Sequence, residues 1–153
     1  MLDIKVKVSG DKVVIEGLKR YGDSVPGAVR RGLTASAKDI FSQAQKWLSG
    51  PGAKKSNIPG GGYPVPVRTG HLRRSLNWLA PGRTKSVEGE TFTAGHLEAV
   101  IYNSAAYAED ISEGYGSSRK HGKRPFLHDA FTSFNKGNKL KANIEKEIKK
   151  LRL

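Results

Sequence analysis

Val65-Pro66-Val67-Arg68-Thr69-Gly70-His71-Leu72-Arg73-Arg74-Ser75-Leu76 separates two kinds of sequence in this chain. A glycine- and proline-rich run precedes it. Within it, Thr69 is placed to cap a helix start, its hydroxyl accepting from an otherwise unpaired amide. Beyond Thr69, Leu72, Leu76 and Leu79 recur at i, i+4 and i+7, which predicts a short helix over 70–79. Arg68, Arg73 and Arg74 surround that apolar face with guanidinium groups. The segment reads as the passage from an extended arm into a packed helix, and no catalytic motif has its form.

Upstream, 49–63 breaks every periodic pattern with Gly50-Pro51-Gly52, Lys54-Lys55-Ser56 and Pro59-Gly60-Gly61-Gly62. A flexible arm that orders against a neighbouring subunit is the functional expectation for it, and a mobile tip the plain one. Before the arm, Val29, Leu33, Ala37, Ile40, Ala44 and Trp47-Leu48 recur at helical spacing. Ser24 and Pro26 suit the start of that helix and Gly50-Pro51 its end, with Phe41 and Trp47 in its core. Its other face carries Arg30, Arg31, Lys38, Asp39 and Lys46. Ile4-Lys5-Val6-Lys7-Val8 alternates as a half-buried strand does, and Val13-Val14-Ile15 reads as its return after a turn at Gly10-Asp11.

Downstream, Val87 to Phe92 and Leu97 to Tyr102 read as two strands joined near Thr93-Ala94-Gly95. The second has the β-branched and aromatic content of a central strand. Ala105 to Glu113 reads as a weak helix with an acidic side of Glu109, Asp110 and Glu113. A basic loop over 114–124, with Arg119, Lys120, Lys123 and Arg124, leads to Pro125 and a last helix. That helix has Leu127, Ala130-Phe131, Phe134, Leu140, Ile144, Ile148 and Leu151 on its core face, and Gly137-Asn138 bends or interrupts it. Pro125 presets its first turn, and Phe126 or Leu127 is expected to be buried just inside it.

The chain has 153 residues, no cysteine and a formal net charge of +13. One domain over 1–153 with a real core is expected. A disulfide framework and a thiolate metal site are excluded. The polar start does not read as a secretory signal and no apolar run suits a membrane span, so a soluble intracellular product with no membrane partner is expected. The charge favours an anionic partner: nucleic acid, an acidic protein surface or a phosphate-bearing ligand. Lys139, Lys141, Lys146, Lys149 and Lys150 interleave with Glu145 and Glu147, which argues against a dedicated DNA-binding helix.

Catalytic constellations fail one by one. There is no phosphate-binding G-x-x-x-x-G-K-[ST] and no H-E-x-x-H, and His71, His96, His121 and His128 lack metal-ligand spacing. Gly60-Gly61-Gly62 lacks the strand–helix frame of a phosphate cradle. Glu109 and Glu113, one helical turn apart, fit the metal-binding carboxylates of a small nuclease, and equally the solvated side of an amphipathic helix. No catalytic, cofactor or metal site is assigned.

The stretch from Val65 to Leu76, then Tyr102-Asn103-Ser104-Ala105-Ala106-Tyr107-Ala108-Glu109 with Gly114, then Arg124-Pro125-Phe126-Leu127 with Ala130, resembles the gene-product-ten-like family of tailed bacteriophages. These are neck or tail-completion proteins of the head–tail junction. The family pattern runs P-x-x-T-G-x-L-x-x-S, then Y-a-x-y-x-E-x-G, then P-F-L-x-x-A at a helix start. Each block is weak alone, and the ordered set is more specific. The glycine-rich arm and the extra residues before the third block depart from the pattern, where subunit contacts differ between phages.

The resemblance implies a structural, non-enzymatic virion component, formed in the host cytoplasm and acting as a ring with sixfold symmetry. Its implied partners are copies of itself, neighbouring head-completion, tail-terminator or tail tube proteins, and passing DNA touched without sequence preference. Contacts to DNA or partners are expected at Lys54, Lys55, Arg68, Arg73, Arg74, Arg119, Lys120, Lys123 and Arg124. Structural anchors are expected at Thr69, Gly70, Leu72, Tyr102, Tyr107, Pro125 and Phe126. A nucleic-acid-binding protein using Lys54-Lys55 and the 119–124 loop is the first alternative, and the small nuclease the second. The expected fold is α+β: a small, mostly antiparallel sheet with strands near 4–8, 12–16, 86–93 and 97–103, and the long first helix and the last helix packed on one face.

Overall fold

A computed structural model describes residues 22, 24–48, 70–112 and 125–151, and the backbone of 4–9 and 113. The fold is α+β, as expected. The helix predicted from the 3.6-residue period is α1, Ser24–Trp47. At about 1.5 Å per residue it is a rod of roughly 36 Å. Its apolar stripe is buried in full: Val29, Leu33, Ala37, Ile40, Ala44 and the adjoining Leu48. Phe41 and Trp47 pack at its margin, partly buried.

The stripe lies on an antiparallel sheet of β1 (Ile4–Ser9), β2 (Leu76–Leu79) and β5 (Glu98–Asn103), in the order β1-β5-β2. The strand read as central is central. Its register sets Ile101 opposite Val6 on one side and Trp78 on the other. Leu76, Ala99 and Ile101 meet α1, together with α4 (Phe126–Asn135) and α5 (Lys139–Lys149). Of the bend or interruption expected at Gly137-Asn138, the structure has the interruption. Asn138 sits there in the left-handed region at φ 54°, which asparagine tolerates better than most side chains.

Two expectations need correction. The helix predicted over 70–79 is a single turn, α2 (His71–Arg74), followed directly by β2. Leu76 and Leu79, three apart, share one side of a helix but take opposite faces of a strand. Leu76 enters the core beneath α1, and Leu79 a second core on the far side of the sheet. That second core exists because 86–93 is not one strand. A hairpin of β3 (Thr84–Val87) and β4 (Glu90–Thr93) runs through it, and among the described residues β4 pairs with β3 alone. Glu88 at φ 51° and Gly89 at φ 85° both take positive φ, as a two-residue type I′ turn demands. The hairpin lays Phe92 on the sheet, its ring stacked on Tyr102 at 3.8 Å between centroids. The expected arm over 49–63, basic loop over 114–124 and return strand near 12–16 lie outside the described residues.

Helices α1 and α5 approach until backbone meets backbone. A Cβ built on Gly32 would stand 2.7 Å from the Cα of Ile144. Next to it, the Ser36 hydroxyl donates to the Gly32 carbonyl at 2.9 Å and accepts from the Asn143 amide at 3.0 Å. In an open helix, alanine would be favoured over glycine by about 1 kcal/mol. Here the sign should reverse, and Gly32→Ala should cost about 1–3 kcal/mol by forcing the helices apart. Chemical denaturation measures this, and a variant as stable as the parent would mean that the crossing has slack.

Glu147 ties the same two helices at the surface. It accepts from Arg31 Nε at 3.0 Å and pairs with Lys150. Lys150 first, and then Arg31, hold its carboxyl below the usual glutamate range. A lowered folded pKa means that the pairing contributes above the ordinary glutamate pKa and is lost as pH falls through the folded value. The Glu147 carboxyl should therefore titrate by NMR below an ordinary glutamate, and Lys150→Gln should raise its midpoint. An ordinary midpoint in the parent would mean that the pair is not held in solution.

Candidate functional site

β5 ends at Asn103, and the sequence blocks that flank it meet there. Gly70 opens α2 from the left-handed region at φ 70°, so the N-cap is glycine backbone, and Thr69 lies outside the described residues. The short turn closes through Arg74 N–H on the Gly70 carbonyl at 3.0 Å and Ser75 N–H on the His71 carbonyl at 2.9 Å. Leu72 alone of the turn is buried. The Ser75 carbonyl then accepts from Ser104 N–H at 3.1 Å, joining the start of β2 to the end of β5.

Asn103 completes the junction. Its side chain is fully buried, donates from Nδ2 to the Leu72 carbonyl at 2.7 Å and accepts at Oδ1 from Ala105 N–H at 2.9 Å. One amide thus serves two backbone groups that no water can reach. The residue was not singled out from the sequence. The available signal was an asparagine closing a run of buried apolar residues, a place where a polar side chain needs a partner.

Ala105 and Ala108, on either side of the start of α3 (Ala108–Glu113), share one core with Leu72, Leu76, Phe126, Leu127 and Ala130. Pro125 is the N-cap of α4 with φ −72°, one position before the first turn, and its carbonyl accepts from Asp129 N–H at 2.8 Å. Phe126 is completely buried, so it is an anchor and not a surface contact.

The two tyrosines behave differently from expectation. Tyr102 is buried but faces away from Phe126, in the second core. Its hydroxyl has no hydrogen-bond partner among the described residues, and burial raises its pKa. Tyr107 is not an anchor. It is 38% exposed, the one large hydrophobic side chain so exposed among the described residues. The reason is local: the turn before α3 directs Ala105 and Ala108 inward and leaves Ala106 and Tyr107 outside. The Tyr107 ring lies 5.9 Å from that of His71, whose Nε2 is 3.4 Å from Ser75 Oγ.

The outer surface of this junction carries exposed Arg73 and Arg74 on α2 and exposed Asp110 on α3. The other expected contacts, Lys54, Lys55, Arg68, Arg119, Lys120, Lys123 and Arg124, lie outside the described residues. Among the described residues no three His, Asp or Glu side chains come together as a metal site would require. His96 lies in the turn before β5, where Arg30 Nε donates to its carbonyl at 3.2 Å and the guanidinium meets its ring. No helix among the described residues is long and apolar enough to cross a membrane. No protein-family model, curated protein or solved structure matches this chain.

Proposed function

We propose that this chain is a structural component of the head–tail junction of a long-tailed phage or prophage, a neck or tail-completion subunit acting in a ring and not an enzyme. The supporting observation is the meeting of the three ordered sequence blocks around one core. Leu72 and Leu76 from the first, Ala105 and Ala108 from the second, and Phe126, Leu127 and Ala130 from the third pack together. Positions far apart in sequence thus share one structural task, which is what a scaffold motif requires. The side chains the blocks leave outside, Arg73, Arg74 and Tyr107, are exposed to neighbours.

In this reading the partners are further copies in a sixfold ring, with head-completion, tail-terminator or tail tube proteins on either side and DNA passing without base contacts. The protein works in the virion and is assembled in the host cytoplasm. Mass measurement of the purified protein, alone and mixed with a tail tube protein, tests this. A ring or a tube-bound species is expected. A protein that stays monomeric and ignores both tail tubes and DNA-filled heads would overturn the proposal. The net charge of +13 favours a second reading, a monomeric nucleic-acid-binding protein, for which salt-dependent DNA binding without any ring is the signature.

A further inference from the structure

We propose that the outward face of α5 is a binding surface for the phosphate backbone of duplex DNA. The helix buries Ile144, with Leu140 and Ile148 packed against the core. Its opposite face presents Lys139, Ala142, Lys146 and Lys149, all exposed. At 1.5 Å per residue the lysines span about 15 Å, a length over which a duplex carries roughly nine phosphate charges.

The glutamates that alternate with these lysines in sequence do not alternate with them on the surface. The Glu147 side chain is only 16% exposed and is held by Arg31 and Lys150. Glu145 stands at the border of the row and is engaged by Lys141 at 3.7 Å. Lys139, Lys146 and Lys149 have no ion-pair or hydrogen-bond partner among the described residues.

Helix stability does not explain the row either. The macrodipole favours cations in the last turn, which accounts for Lys146 and Lys149. It disfavours them at the N-terminus, yet Lys139 stands there, with no acidic residue in the first turn. Charge is thus kept where the helix itself gains nothing from it. Small Ala142 in the middle of the row leaves room for a rod to approach. Lysines on flexible stems are point charges without the planar fork that reads base edges, so the contact is to phosphate and independent of sequence.

The proposed surface does not depend on ring formation. Fluorescence anisotropy with the full chain and a labelled duplex of arbitrary sequence, between about 50 and 200 mM salt, tests it. The parent should bind, with affinity falling steeply as salt rises. The triple variant Lys139→Gln, Lys146→Gln, Lys149→Gln should lose at least about tenfold in affinity at the low end, with a salt slope smaller by roughly 2–3. Its melting temperature should match that of the parent, because exposed charges contribute little to stability.

A second triple, Lys38→Gln, Lys46→Gln, Lys85→Gln, removes the same charge elsewhere and should lose much less. Equal losses in the two triples would reduce the effect to net charge and overturn the proposal. So would a stripe variant that binds like the parent, a parent that does not bind at low salt, or a parent that binds polyglutamate and not DNA.

Discussion

Phe126→Ala should lower stability by about 3–5 kcal/mol, a large part of the roughly 5–15 kcal/mol that holds a domain folded. The ring is fully buried at the first position of α4. It enters the core shared by α1, α2 and the inner face of the sheet, so its loss leaves a cavity bounded by several elements that cannot all close in. A fall in melting temperature of roughly 10 °C or more should follow. The adjacent Leu127 is buried too and remains to hold α4 on the core, so the variant should still fold at low temperature. Phe126→Leu keeps most of the volume and should recover most of the loss. If Phe126→Ala melted like the parent, the packing of α4 against this core would not be what holds the fold together.

Much of the fold was legible because some patterns admit one reading. In α1 the apolar period persists from Val25 to Leu48 and stops at Gly50-Pro51, and no strand buries residues at that spacing. β5 was legible because Ala99, Val100, Ile101 and Tyr102 are apolar in succession, which suits a strand covered on both faces. Gly137-Asn138 marked the break between α4 and α5 through the conformations those residues accept.

What failed depended on facts distant in sequence. Leu72, Leu76 and Leu79 fit a helical face, and only the hairpin laid over the far side of the sheet makes burial of both Leu76 and Leu79 compatible with a strand. The hairpin was hidden because its turn is Glu88-Gly89. Glycine suits the turn, but glutamate rarely takes φ near 51°, and Asn or Asp would have announced it. Tyr102 and Tyr107 sit five apart and were read as equivalent anchors. One stacks on Phe92 in the second core and the other lies on the surface beside His71, a difference set by where β5 ends. Alternation of lysine with glutamate along α5 does not by itself describe the helix surface, because Arg31, from another helix, engages Glu147.

Asn103→Leu should cost about 2–5 kcal/mol although it keeps the size of the side chain and adds apolar surface. Two backbone groups depend on this amide, the Leu72 carbonyl at 2.7 Å and the Ala105 N–H at 2.9 Å. Each would be left buried and unmet, at about 1–3 kcal/mol apiece. The loss should be local as well as global, with the Ala105 amide exchanging faster while amides in the middle of α1 keep their protection. Asn103→Asp separates hydrogen bonding from packing. An ionised carboxylate still accepts from Ala105 but sets an oxygen against the Leu72 carbonyl and buries a charge, so the neutral acid is favoured and the folded pKa rises. A raised folded pKa implies that stability is greatest in acid and falls as pH rises through the folded value. The aspartate variant should thus gain stability on mild acidification relative to the parent, whereas the leucine variant should follow the parent's pH profile at a constant offset. Denaturation of both variants across pH measures this. An Asn103→Leu protein as stable as the parent would show that the junction of α2, β2 and β5 is held by packing alone.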